Sequence, residues 1–291
     1  MAVGTGAALC LSAVPASAAS APAAPAHHQT CAEPPLPPQG APLVVDPSSA
    51  AAPAGLPHRP DRAELVRLRA AVDNYVACLD GGDQLHAATL FSPYFVESFM
   101  GQQSYYQVPA ILGGLTVADL RIDAVDAYAD GSFVTEVHYL AYGHRLAHER
   151  LVWWPDPADG FLKVDGLQAL ASPIPHPSAT LNVRMGEYFF DLDRHRLRAP
   201  HGDLVLRLND VGRERHEAIL LRLPPGKTGA DILTGGVTQD QAVTIGQDNG
   251  AQELSLVNVR PGVYTLVDFI PAPDGLPHLA HGQTAQFTVV P

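Results

Sequence analysis

The amino-acid sequence predicts an α+β cone followed by an all-β Greek-key sandwich. Three observations support this fold class. Apolar residues recur at three- and four-residue steps from Arg62 to about Asp80, which is typical of an amphipathic helix. From Ala118 onward the period changes to alternation, which indicates antiparallel strands. After a Pro-rich connector at residues 172–179, short β-branched and aromatic runs are separated by Gly and Pro turns, as in a β-sandwich.

Length and charge limit the classes of partner. The chain has 291 residues, of which 46% are hydrophobic, so it can fold as two domains that each bury a core. The formal net charge is −12, and the sequence pI is near 5.4. This acidic balance argues against nucleic acid and against anionic lipid head groups, because both require a basic surface. We therefore expect neither a nucleic-acid partner nor insertion into a membrane.

The N-terminal residues 1–20 have the character of a secretory signal peptide. A short apolar run ends in a small-residue site at Ala16 and Ala18, although no Lys or Arg precedes the run. The run is too short to span a bilayer, and a proline interrupts it. Cys10 follows Leu9, where a lipoprotein site would have a small residue. The sequence thus predicts an exported, unanchored protein.

Residues 21–60 are dominated by Ala and Pro and predict a flexible tether. Removal of the signal peptide would leave Cys31, inside the tether, and Cys78, inside the predicted helix. In an exported protein these two residues favour a disulfide that links the tether to the first domain. The alternative is a buried free Cys78 and a reactive Cys31.

The first predicted domain covers residues 61–171. Asp61 can cap the first helix, and Gly81 and Gly82 end it. A shorter helix is expected from Gln84 to about Leu90. Four antiparallel strands then follow, at residues 120–128, 132–142, 145–154 and 161–170.

This order of helices and strands, with the phrases DAYADGSFVTEVHYLAYG and ADGFLKVDGL, resembles the superfamily of nuclear transport factor two, ketosteroid isomerase and the polyketide cyclases. The resemblance implies a pocket between sheet and helices and, in members that catalyse, an Asp or His general base. The candidate pocket residues are Glu136, His138, Tyr142 and Arg150. The alternative is that they form the solvated outer face of the sheet. The chain has no G-x-S-x-G, HExxH, phosphate loop or CxxC motif.

Residues 180–291 are predicted to form the sandwich. Seven short runs have β character, at residues 181–183, 188–191, 203–208, 216–223, 253–258, 263–269 and 285–290. Residues 227–250 form a longer polar excursion between strands. Near the end, a strand is followed by a Pro/Gly loop, then His278, His281 and Gln283, and a closing strand. A distant His216 follows Asn209 and Gly212 and precedes an apolar strand.

These features resemble the cupredoxin family from about Thr180 to the C-terminus. In that family the positions of His216, Asp268, His278 and Gln283 would hold His, Cys, His and Met. Gln for Met is a mild change, because the axial ligand is weak and Gln is also found there. Asp for Cys is severe, because it removes the thiolate on which a blue-copper electron carrier depends.

The resemblance implies an altered centre in which two imidazoles and a carboxylate bind Cu(II) or Zn(II), with His281 as a substitute donor. The alternative is a sandwich that has lost its metal. Three readings remain open: an exported, non-enzymatic protein that binds a metal ion or a small molecule, a cone enzyme of the lyase or isomerase kind, and a metal-free interaction protein. The sequence names neither the pocket ligand nor a protein partner.

Overall fold

The computed structural model describes residues 31–32, 34–45, 53–81, 84–100, 102, 104–112, 114–238, 241–248 and 252–291. The predicted signal peptide, including Cys10, and parts of the predicted tether lie outside the described residues. No helix in these ranges is both long and apolar enough to cross a membrane.

The first part of the chain is helical. Helix α1 begins after Asp61, whose carboxylate accepts hydrogen bonds from the amides of Ala63 and Glu64, while the Glu64 carboxylate accepts one from the Asp61 amide. This reciprocal capping box satisfies amides that a helix start leaves without partners. The helices are α1 (Arg62–Asp80), α2 (Gln84–Ala88) and α3 (Val108–Leu112), with a π-helical turn at Phe95–Phe99 and a 3-10 turn at Tyr105–Gln107.

The helices cover one face of an antiparallel meander. Its strands are β1 (Val117–Ala127), β2 (Phe133–Ala141), β3 (Arg145–Pro155) and β4 (Leu162–Ala169). Every second side chain of β2 is buried, so one face of the sheet meets the helices and the other faces outward. Together the helices and meander enclose what we call the first core, centred on residues such as Leu68, Phe95 and Trp153. Cys31 and Cys78 form a disulfide, with 4.7 Å between their Cα atoms, that fastens the preceding segment to α1.

The second part is a β-sandwich. Its elements are β5 (Ala179–Gly186), β6 (Phe189–Leu192), β7 (Arg196–Arg198), β8 (Leu204–Asp210), β9 (Ile219–Arg222), α4 (Gly229–Leu233), β10 (Val243–Gln247), β11 (Glu253–Leu256), β12 (Gly262–Val267) and β13 (Thr284–Val290). One layer runs β11-β8-β5-β6 and the other runs β10-β9-β12-β13-β7. Leu206 of the first layer and Leu220, Leu266 and Phe287 of the second bury the second core between them.

The sandwich contains more regular structure than the sequence predicts. Strand β10 and helix α4 lie inside the residues 227–250 expected to be a polar excursion, and β7 lies between the predicted runs at residues 188–191 and 203–208. Strand β10 is short and pairs with the buried β9, and this pairing stabilises a segment whose own β pattern is weak.

A hydrogen-bonded sheet crosses the predicted boundary between the two parts. Strand β3 pairs with β11 through Arg145 and Leu256, and the Val257 amide donates to the His144 carbonyl oxygen at 2.8 Å. The predicted linker, residues 172–179, lies between β4 and the start of β5. The two cores are therefore joined by a short sheet contact as well as by the chain.

Candidate metal centre

Three side chains that were predicted to be metal ligands meet at one end of the sandwich. One potential donor atom from each of His216, Asp268 and His278 lies within 4.8 Å of the others. The Asp268 Oδ2 atom is 3.1 Å from His216 Nδ1 and 3.1 Å from His278 Nδ1. All three side chains are fully buried. Residues from two different connections, β8–β9 and β12–β13, thus meet at one carboxylate oxygen.

The loop between β12 and β13 brings Asp268 and His278 together. Asp268 is the first residue after β12, and Pro271 and Pro277 form an isolated bridge that closes the loop. The His278 amide donates to the Ile270 carbonyl oxygen at 2.9 Å. These backbone contacts bring the side chains of Asp268 and His278, which are ten residues apart in the chain, into direct contact.

Gln283 and Gly212 complete the surroundings of His216. The Gln283 Nε2 atom lies 3.3 Å from His216 Nδ1, while its Oε1 atom accepts a hydrogen bond from the Tyr188 amide at 3.2 Å. A Cβ atom at Gly212 would lie 2.4 Å from His216 Nε2. A glycine is therefore needed at position 212 for the imidazole to occupy this position.

Glu214 holds the far side of the second imidazole. Its Oε2 atom is 2.8 Å from His278 Nε2. The loop that carries Glu214 is held in turn by Glu187, whose Oε1 atom accepts hydrogen bonds from the amides of Arg213 and Glu214. These donors lower the pKa of Glu187. His278 consequently has a carboxylate at each ring nitrogen.

With Asp268 ionised, two contacts of this cluster compete for one proton. His216 Nδ1 faces both the Asp268 carboxylate, which requires a donor, and the Gln283 Nε2 group, which is itself a donor. A protonated Asp268 relieves this conflict only if Oδ2 donates to His216 Nδ1 while it accepts from His278 Nδ1, and His278 must then be doubly protonated to donate to Glu214 as well. In addition, His216 Nε2 is buried and has no hydrogen-bond partner among the described residues. Such a conflict is costly in a buried polar cluster.

Burial also changes the acidity of the carboxyl groups here. Desolvation raises the pKa of Asp268, opposed by hydrogen bonds from the Ile270 amide and from His216. Desolvation raises the pKa of the neighbouring Glu217 to about 7, and the charge of Asp268 adds to this effect. The cluster therefore has an excess of acidic groups in a region from which water is largely excluded.

Comparisons with known proteins identify no family for this chain. No family model and no curated protein matches the sequence. Among solved structures, reduced auracyanin from the photosynthetic bacterium Roseiflexus castenholzii matches with 16% identity and a TM-score of 0.26, covering 39% of this chain and 98% of that one. Auracyanin B matches with 17% identity and a TM-score of 0.26 over 41% and 94% of the two chains. Auracyanin A, a "blue" copper protein from Chloroflexus aurantiacus, matches with 16% identity and a TM-score of 0.25 over 38% and 99%.

His281, the predicted substitute donor, does not join the cluster. Its Nε2 atom lies 3.0 Å from the Asp274 carboxylate near the surface, and its ring packs on Tyr188 with 4.6 Å between centroids. His278 and His281 belong to the same 3-10 turn, but only His278 faces Asp268.

Three of the four candidate pocket residues of the meander lie together on its outward face, and the fourth lies apart from them. Glu136 and His138 lie on the outward face of β2, and Arg150 is exposed on β3. The outward residues form their own contacts: Glu136 with His148 at 2.8 Å, and His138 with Asp123. Only Tyr142 lines the large cavity described below, and its hydroxyl donates to the Leu112 carbonyl oxygen at 3.2 Å.

The inward face of the meander carries a buried polar cluster that is not among the candidate pocket residues. Glu149 is fully buried and accepts hydrogen bonds from Arg145 at 3.2 Å and from the Tyr139 hydroxyl at 2.5 Å. Burial raises the pKa of Tyr139, and the charge of Glu149 adds to this effect. The signal was present in β3, because Arg145 and Glu149 alternate in phase with the buried Ala147 and Leu151.

Proposed function

We propose that this protein is an exported metal-binding protein whose sandwich holds one divalent transition-metal ion, Cu(II) or Zn(II). The donors would be His216 Nδ1, His278 Nδ1 and Asp268 Oδ2. The observation that carries this proposal is the convergence of these three buried donors on one point. A set of two imidazoles and one carboxylate suits either ion.

The spacing of the donor atoms agrees with a coordination sphere. Four ligands at about 2.0–2.2 Å from a tetrahedral ion are separated from one another by about 3.3–3.6 Å. Asp268 Oδ2 lies 3.1 Å from each imidazole Nδ1. Small outward shifts would open these contacts to metal-binding distances.

A bound ion would also remove the proton conflict. Both Nδ1 atoms would coordinate as lone-pair donors, and Asp268 would remain an ionised ligand. The Nε2 proton of His278 would then be donated to Glu214, which lies 2.8 Å away. A carboxylate behind a ligating histidine fixes its tautomer and strengthens it as a ligand.

The donor set supports binding and not electron transfer. Asp268 supplies oxygen where a blue-copper site requires a thiolate. Gln283 would become a fourth, weaker donor only through Oε1, which accepts a hydrogen bond from the Tyr188 amide in this structure. We accordingly assign the site to metal binding without electron transfer.

The test is calorimetric titration of the apo-protein with Cu(II) and with Zn(II), repeated on a matched pair of variants. We expect one ion per chain with a dissociation constant below about 1 µM. His278→Ala should abolish this heat, whereas His281→Ala, which changes the same residue type in the same turn, should leave it unchanged. Absence of binding to the wild type, or equal loss in both variants, would overturn the proposal and favour a metal-free interaction protein.

We also propose the domain organisation in which this site is presented. Residues 61–171 would form an α+β cone, residues 172–179 a linker and residues 180–291 a cupredoxin-like sandwich. The existence of two separate hydrophobic cores supports this division. An N-terminal signal peptide at residues 1–20 would direct the chain to export.

A further inference from the structure

A large cavity lies between the two cores. Its volume is about 1730 Å³, above the range of about 300–1,000 Å³ that is usual for sites of small ligands. Tyr75, Phe95 and Tyr139 line it from the first core, and Ile219, Leu221 and Phe269 line it from the sandwich. Neither core forms this cavity alone.

The wall from the first core is aromatic and firmly packed. The rings of Tyr75 and Phe91 meet edge to face with centroids 5.9 Å apart, and Phe91 stacks on Phe95 at 5.3 Å. Tyr75 also packs edge to face against Trp153 at 5.8 Å. Because these rings hold one another in place, this wall is preorganised to receive a flat apolar surface.

Arg145 supplies a polar anchor in this aromatic wall. Its side chain is 6% exposed and lines the cavity. Within the described part of the chain, the guanidinium makes one hydrogen bond, from Nη2 to Glu149 Oε1. A guanidinium has five N–H donors, so further donors remain for an acceptor that enters the cavity.

The other charged groups of the lining argue for an uncharged ligand. Asp210, Glu217 and Asp248 line the wall from the second core together with Arg215, and Glu149 already faces Arg145. An anion would meet more carboxylates than guanidinium groups. Burial of a net charge in a largely apolar cavity carries a large desolvation cost.

We propose that this cavity binds an uncharged aromatic or polycyclic molecule that carries a hydrogen-bond-accepting oxygen. The rings would pack on Tyr75, Phe91 and Phe95, and the oxygen would accept hydrogen bonds from Arg145. The sandwich would supply the opposite wall through Ile219, Leu221 and Phe269. His216 also lines the cavity, but none of the contacts assigned to this ligand involves it or requires a metal.

The test uses three naphthalene probes with the full-length, metal-free protein, so that its result is independent of metal binding. Prodan is uncharged and has a carbonyl oxygen, N-phenyl-1-naphthylamine is uncharged and lacks one, and 8-anilinonaphthalene-1-sulfonate is an anion. We expect prodan to bind with a blue-shifted emission, and the anion to bind at least about tenfold more weakly. N-phenyl-1-naphthylamine should be weaker than prodan because it offers no acceptor to Arg145. Equal binding of all three probes, or preference for the anion, would overturn the assigned ligand class.

A matched pair of valines locates the binding. Val243 lines the cavity and is 53% exposed, whereas Val263 is 50% exposed and lies outside it. Val243→Trp should obstruct the mouth and weaken prodan binding at least about tenfold, because the indole would occupy space that the probe needs. Val263→Trp should bind prodan as the wild type does. Unchanged binding by Val243→Trp, or equal loss in both variants, would show that the probe does not occupy the cavity.

Discussion

Asp268 determines which metal chemistry the buried cluster can support. Its carboxylate is a hard donor that accepts contacts from two imidazoles at once. A thiolate at the same position would be a soft donor, which the Cu–thiolate bond of a blue-copper site requires. Substitution at this position should therefore convert an oxygen-donor site into a thiolate site.

The double variant Asp268→Cys, Gln283→Met should produce an intense visible absorption band when Cu(II) is added. The thiolate, two imidazoles and thioether would then form the blue-copper donor set at positions that already converge. Absorption spectroscopy checks this, with the Gln283→Met single variant as a control that should show no such band. A colourless double variant would mean that the loop does not hold the inferred donor geometry.

The buried Asp165 should make the free energy of unfolding of the first core depend on pH. It accepts a hydrogen bond from the Ser92 hydroxyl, and burial raises its pKa from 3.8 to about 6. Below pH 4 both folded and unfolded states hold the proton. Between pH 4 and 6 the unfolded state loses it first, so the wild type loses stability as the pH rises and the loss is complete above pH 6.

Asp165→Asn should remove this loss, because an amide has no proton to release. We expect the unfolding free energy of the variant, relative to that of the wild type, to rise by about 1 to 2 kcal/mol between pH 4 and pH 7, after allowance for screening by water. Urea denaturation at both pH values measures the difference. A constant difference across this range would show that Asp165 is ionised in the folded protein at both pH values.

The loop between β8 and β9 positions His216 through a close backbone approach. Gly212→Ala would place a methyl group 2.4 Å from His216 Nε2, so the imidazole must leave the position in which its Nδ1 atom faces Asp268. We expect metal affinity to fall at least about tenfold although no donor is changed. Gly262→Ala is the matched control, because its Cβ atom would have no neighbour closer than 3.8 Å. Calorimetric titration of both variants checks this prediction, and equal affinities would contradict it.

The clustering of His216, Asp268 and His278 could be predicted from the sequence because residue type and chain order carry most of its information. The sequence could not separate His278 from His281, since both lie in one short turn and only the folded loop decides which ring faces Asp268. The contact of Glu214 with His278 could not be predicted either, because the conformation of the loop that carries Glu214 depends on Glu187 from a distant connection. Contacts made by tertiary packing leave no local pattern.

The meander shows the same limit in another form. Alternation correctly indicates that Glu136 and His138 share a face, but it does not say which face is buried. The phase of the apolar residues does: Val137 and Tyr139 are buried, so their neighbours face outward. The same reasoning applied to β3 would have selected Glu149.

The whole molecule consists of two cores that share a short sheet contact and a large cavity. In the described part of the chain, β3 and β11 pair through Arg145 and Leu256, and His144 and Val257 add a backbone hydrogen bond and a contact from His144 Nδ1 to the Val257 carbonyl oxygen at 3.2 Å. A cavity at an interface also removes packing that would otherwise couple the two sides. We therefore expect the cores to unfold separately.

Scanning calorimetry of the metal-free protein should show two transitions. Saturating Zn(II) should raise only the transition of the second core, by up to about 4 kcal/mol of stability at a free concentration of 1,000 times Kd. His278→Ala provides the control, because it should show the same two transitions without the shift. One transition that moves as a whole would show that the cores unfold as a single unit.

X-ray absorption at the zinc edge of the protein loaded with one equivalent of Zn(II) tests the proposed centre most directly. We predict a first shell of nitrogen and oxygen atoms at about 2.0–2.2 Å, with multiple scattering from two imidazole rings and no sulfur. A shell with one imidazole ring or none would contradict the assignment of His216 and His278 as joint ligands.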